Sequence, residues 1–137
     1  MLEFLQQNWL LLLGFVVIAV VMFRGPVMLR LSGIRSVDPA GAVQLINHEG
    51  AHVLDVREDR EWQQGHIPGA THIPLGQLSN RMDELEQQKG EPLVVVCRSG
   101  QRSTNAAVRL RKAGFEQVYN LNGGTMSWQQ AGMPMEK

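Results

Sequence analysis

The run Leu93-Val94-Val95-Val96 constrains this chain more than any other feature. It is apolar throughout and mostly β-branched, and it lies between Pro92 and Cys97. A strand wet on one side would alternate apolar and polar residues, so this one is expected to be covered on both faces, as central strands of parallel sheets are. Ile34 to Val37, His52 to Val56, Ala70 to Ile73 and Val118 to Leu121 read as further short strands. Helical stretches fall between them. One opens at Asp38-Pro39, carries Val43 and Ile46 on one face and ends at Gly50; Glu58 to Gln64 forms another, stopped by Gly65. Ser79 caps a third, with Leu78, Met82 and Leu85 at helical spacing and Gly90 at its end. Ser103 to Lys112 follows, and Gly123-Gly124 leads to a terminal helix containing Trp128. Strands alternating with crossover helices predict an α/β domain over 34–137, with a central mostly parallel sheet flanked by helices.

Ahead of that domain, Trp9 to Phe23 contains no charged or polar side chain apart from the Trp9 indole. At about 1.5 Å per residue the run reaches roughly 22 Å, short of a hydrocarbon core of about 30 Å. Extension back to Phe4 through Gln6, Gln7 and Asn8 brings it to roughly full thickness, so residues 1–33 are expected to form a transmembrane anchor (span about 4–23) and a tether begun by the helix breakers Gly25 and Pro26. Glu3 at the start and the absence of a small-x-small site argue against a cleaved signal peptide. Arg24, Arg30 and Arg35 follow the run and no Lys or Arg precedes it, which places the domain on the cytoplasmic face of a single-pass membrane protein.

Lys plus Arg equals Asp plus Glu at 13 each, so no basic excess points to nucleic acid as a partner. The single cysteine excludes an internal disulfide and a cysteine-rich zinc site. His48, His52, His66 and His72 lack the paired spacing of metal ligands, so no metal and no other cofactor is expected.

Cys97 closes the central strand at its carboxyl end, the edge at which open parallel sheets bind ligands. Arg98-Ser99-Gly100-Gln101-Arg102-Ser103 leads into the next helix. Gly100 permits a tight curl that turns successive N–H groups on the sulfur, the helix directs its positive end there, and Arg98 and Arg102 add charge. Together these features favour a thiolate suited to attack an electrophilic sulfur. The bland alternative is a buried strand-end cysteine before an exposed basic turn. Cysteine-dependent phosphatases place five residues between nucleophile and phosphate-binding Arg; four separate Cys97 from Arg102, a smaller cup that matches one sulfur atom better than a phosphate.

The loop CRSGQRS resembles the active-site loop of the rhodanese superfamily, and DVREDREWQQGHIPGA (55–70) resembles its upstream signature. With Asn-Gly-Gly…Trp at 122–128, the resemblance covers most of 34–134 and does not extend to the N-terminal segment. It implies a sulfurtransferase that carries sulfur as a persulfide on Cys97, cradled by the backbone of Arg98 to Arg102. A small anionic donor such as thiosulfate would supply the sulfur, and cyanide, a thiol or a protein acceptor would take it. A membrane-tethered binding or scaffold module of the same fold and a cysteine-dependent phosphatase are the alternatives.

Asp55 and Arg57 form either a charge-assisted brace for the catalytic edge or an ordinary surface pair. His66 is expected to fix a turn by hydrogen bonding, and Trp62 and Trp128 to serve in packing.

Overall fold

The computed structural model describes residues 1–31 and 33–137, with side chains outside 25–32. They fall into two compact units, Met1–Leu31 and Ser32–Lys137.

The first unit holds helices α1 (Leu2–Gln7) and α2 (Trp9–Leu31). Among the described residues no helix is long and apolar enough to cross a membrane. This overturns the expected transmembrane anchor, and with it the membrane as partner and the single-pass, cytoplasmic-face placement of the domain. The physical reason lies at Asn8. The extension that was to complete the span is polar, and the helix is interrupted there: Asn8 leaves helical geometry (φ −115°, ψ 16°) and its side-chain amide donates to the Phe4 carbonyl at 2.9 Å. The apolar run that remains covers roughly 22 Å before Arg24. Gly25 and Pro26 do not end the helix as expected; α2 runs on to Leu31. Of the expected tether, Ser32 lies outside the described residues.

The second unit is a five-stranded sheet with helices on both faces. In chain order it comprises β1 (Arg35–Val37), α3 (Pro39–Glu49), β2 (His52–Asp55), α4 (Asp59–Gln63), β3 (Thr71–His72), β4 (Leu93–Val96), α5 (Gln101–Lys112), β5 (Val118–Leu121) and α6 (Gly124–Gln130). The strands lie in the order β1-β5-β4-β2-β3, and every pairing is parallel. β4 is central and all four of its residues are buried, as its uninterrupted apolar character requires. Each buried valine there contributes about 1.5–3 kcal/mol relative to an exposed one.

Alternation along β4 divides the core. Val94 and Val96 join Val53, Leu121, Ala42 of α3 and Trp128 of α6 on one face. On the other face α5 packs on β4 and β5, burying a helical stripe of Ser103, Ala106, Ala107 and Leu110. Asp38 caps α3, accepting from the Gly41 N–H at 2.7 Å.

The segment expected as a helix from Ser79 to Gly90 is instead 3₁₀ turns over Leu75–Gln77 and Met82–Gln88. Met82, Leu85 and Gln88 turn inward at a period of three, while Leu85 alone is fully buried. Apolar residues at i and i+3 satisfy both the α and 3₁₀ templates, which is why the spacing misled.

Because all strands run in parallel, Asp55, Val96 and Leu121 end at one edge. The segments that follow β2, β4 and β5 therefore meet there.

Candidate active site

Cys97 leaves β4 and the chain curls through Arg98, Ser99 and Gly100 before α5 begins at Gln101. Gly100 makes the curl with φ +104°, a value that side-chain-bearing residues rarely adopt. Its N–H donates to Cys97 Sγ at 3.0 Å, and the Ser103 hydroxyl lies 3.3 Å from the same sulfur. Burial alone would push the thiol pKa up. Hydrogen bonding by the Ser103 hydroxyl and by the N–H groups of Ser103, Gly100 and Ser99 outweighs it, and the Cys97 pKa is lowered. The sulfur thus sits in a nest of donors at the start of a twelve-residue helix.

The outer side of the loop is held by α6. The Thr125 N–H donates to the Cys97 carbonyl at 2.8 Å, and the Met126 N–H to the Arg98 carbonyl at 3.1 Å. Gly124 makes this approach possible: a Cβ there would stand 2.3 Å from the Cys97 oxygen and 2.5 Å from the Arg98 carbonyl carbon and oxygen. The Gly-Gly step is therefore a contact surface for the loop as well as a turn.

Asp55 and Arg57 form a buried pair. Arg57 Nε and Nη2 reach the Asp55 carboxylate at 2.8–3.0 Å, and Nη2 also donates to the Gly65 carbonyl at 2.8 Å. Asp55 is fully buried and Arg57 is 6% exposed, so this is not a surface pair. It ties the end of β2 to the turn after α4.

The two loop arginines have different situations. Arg102 is engaged by Glu61 of α4 through two bonds, at 2.7 and 2.9 Å. The Arg102 guanidinium holds the Glu61 carboxyl down to about 2, against a smaller opposing effect of burial. Arg102 is thus braced on α4, while its charge also interacts with Cys97. Arg98 is exposed and, with Arg57, Glu61, Thr125, Met126 and Gln129, lines a cavity of about 380 Å³ at the loop. Gln101 is exposed on the first turn of α5.

Ser103, expected only as the end of the loop motif, links the sulfur to β5. Its hydroxyl donates to Asn120 Oδ1, and Asn120 Nδ2 donates to Thr104 Oγ1 at 2.9 Å and to the Gly100 carbonyl at 3.2 Å. The roles of Asn120, Glu61 and Gly124 went unnoticed in the sequence. Asn120 had one signal, a polar amide in a short strand between Val118 and Leu121. His66 Nδ1 lies 3.2 Å from the Trp62 carbonyl, in keeping with a turn-fixing role, and Trp62 stacks on both the His66 and His72 rings, with centroids 3.5 and 4.6 Å apart.

A family model described as the rhodanese-like domain matches residues 38–131. Thiosulfate sulfurtransferase GlpE of Actinobacillus pleuropneumoniae is 34% identical over 100 residues, covering 73% of this chain and 91% of GlpE. YrkF of Bacillus subtilis is 41% identical over 80 residues, 58% of this chain; the match spans only 42% of YrkF, less than half its length. The crystal structure of a rhodanese-related protein from Thermoplasma volcanium superposes with a TM-score of 0.68 at 31% identity, covering 74% of this chain and 97% of that one.

Proposed function

This chain belongs to the rhodanese-like domain family, and from that premise we propose that it is a sulfurtransferase that carries sulfane sulfur as a persulfide on Cys97. The observation that carries this reading is the set of donors converging on Cys97 Sγ, which lowers the thiol pKa despite burial. In the first step the Cys97 thiolate attacks the outer sulfur of a donor such as thiosulfate. The new S–S bond forms as the donor's own S–S bond breaks, and its electron pair leaves with sulfite. In the second step a thiophilic acceptor, cyanide or a thiol, bonds to the outer sulfur, and the Cys97 thiolate departs with the pair. Negative charge is conserved in both steps, and neither calls for a metal.

Arg98, exposed at the cavity, is the cation placed to attract an anionic donor, with Arg102 as a braced element of the loop. Ser99, Gly100 and Ser103 stabilise sulfur anions, Gln101 opens α5, and Asp55 and Arg57 brace the catalytic edge. The four residues between Cys97 and Arg102, one fewer than phosphatases use, weigh against the phosphatase alternative. Thiosulfate:cyanide sulfur transfer by the full chain, with mass spectrometry of Cys97 after thiosulfate alone, tests the proposal. Wild-type protein is expected to turn over and to gain one sulfur atom on Cys97, and Cys97→Ser to do neither. Full activity in Cys97→Ser, or a protein that binds acceptor proteins without taking up sulfur, would remove it.

A further inference from the structure

The Ser103 hydroxyl has one proton and two neighbours that can claim it. Asn120 presents its amide in one orientation. Nδ2 donates both its protons, to Thr104 Oγ1 and to the Gly100 carbonyl. Thr104 spends its own proton on that same carbonyl at 2.7 Å, so its oxygen is left to accept. Asn120 Oδ1 is thereby turned on Ser103, whose hydroxyl donates to it. Cys97 Sγ stands on the other side of the same hydroxyl at 3.3 Å. Cys97, Ser103 and Asn120 are 1%, 0% and 6% exposed, so these groups must satisfy one another.

We propose that Asn120 is a positioning residue that holds the Ser103 proton while Cys97 Sγ is uncharged and yields it only to the thiolate. This rests on the reading of Cys97 as the sulfur-carrying nucleophile. In the resting thiol, S–H donates to Ser103 Oγ and O–H donates to Asn120 Oδ1, and the chain is complete. Loss of the thiol proton leaves an anion facing an oxygen lone pair. The hydroxyl then turns to the sulfur, and Oδ1 loses its donor. When a sulfane sulfur is taken up, the charge moves to the outer atom and Sγ becomes a weak acceptor. The Ser103 proton returns to Oδ1. Asn120 therefore favours the loaded state over the bare thiolate, as suits a carrier.

The charged groups around the cysteine loop are Arg102 of α5, tied to Glu61 of α4 and interacting with Cys97, the loop Arg98, and the closed Asp55–Arg57 pair at β2. β5 and α6 bring no Asp, Glu, Lys, Arg or His, and Tyr119 points to the face of β5 opposite Asn120.

Cys97 is the sole cysteine, so the pH dependence of iodoacetamide alkylation of the full chain reads its pKa directly. Asn120→Ala frees the Ser103 proton for the thiolate. The apparent pKa is expected to fall by about one pH unit, roughly tenfold in thiolate at a given lower pH. That fall is expected to vanish when Ser103→Ala is added. A merely structural role, loosening the loop at Gly100, moves the pKa up or leaves it alone, and either result overturns the inference. If circular dichroism shows Asn120→Ala unfolded, Asn120→Asp keeps the size and the acceptor. It should raise the pKa by more in the Ser103 protein than in Ser103→Ala; equal rises overturn the inference. Sulfur uptake measured on the same samples separates the two claims. Absent uptake by wild-type protein sinks the sulfurtransferase proposal whatever the pKa values, whereas normal uptake without the pKa shifts sinks only the role of Asn120.

Discussion

Gly124→Ala tests whether the site depends on the approach of α6 to the cysteine loop. Two costs add at this position. A φ of +60° is unfavourable for any residue with a Cβ by about 1–2 kcal/mol. The new methyl would stand 2.3 Å from the Cys97 oxygen and 2.5 Å from the Arg98 carbonyl, where rigid backbone must shift, and overpacking of this kind costs about 1–3 kcal/mol. If α6 retreats to relieve the clash, the bonds from the Thr125 and Met126 N–H groups weaken, at about 1 kcal/mol each. By any of these routes the loss comes to about 2–5 kcal/mol, on the order of 10–20 °C in Tm for a domain of this size. Gly50→Ala is the control: its φ is +68°, but a Cβ there meets nothing within 4 Å, so only the conformational cost of about 1–2 kcal/mol applies. Gly123→Ala should also exceed Gly50→Ala, since its Cβ would stand 2.6 Å from Ser127 Cβ, an atom fixed by the backbone of α6. Urea unfolding of the three variants, followed by tryptophan fluorescence, gives the order directly. Equal losses for Gly124→Ala and Gly50→Ala would refute the close-approach reasoning.

The buried pair and the loop brace yield further expectations. Arg57→Ala strands the fully buried Asp55 carboxylate, and urea unfolding should show a loss of about 3–5 kcal/mol, far above that of a surface pair. A loss below 1 kcal/mol would mean that Asp55 finds another partner. The depressed Glu61 carboxyl stabilises the fold above the ordinary carboxyl range, and that contribution disappears as pH falls through its folded value of about 2. The Glu61 carbon resonance should therefore titrate near 2 in wild-type protein and move toward the ordinary range in Arg102→Gln, and an unchanged midpoint would dissociate the two residues.

Local signals carried the outline of this protein. The apolar β4, the glycine three residues beyond Cys97 and the switch to helical period after it specify a strand–loop–helix with a cysteine at the sheet's carboxyl edge, because each depends on neighbours a few residues away. The same locality explains two corrections. The Met82–Gln88 spacing fits either of two helix types, and the apolar run at Trp9–Phe23 does not itself show that the helix is interrupted at Asn8. What only the tertiary structure decided is which groups surround the sulfur. Glu61 meets Arg102 across 41 residues, Asn120 enters from β5, and Gly124 lets a second helix touch the loop. Such pairings are set by parallel strand order and crossover packing, which bring distant segments to one edge and leave no periodic trace in the chain.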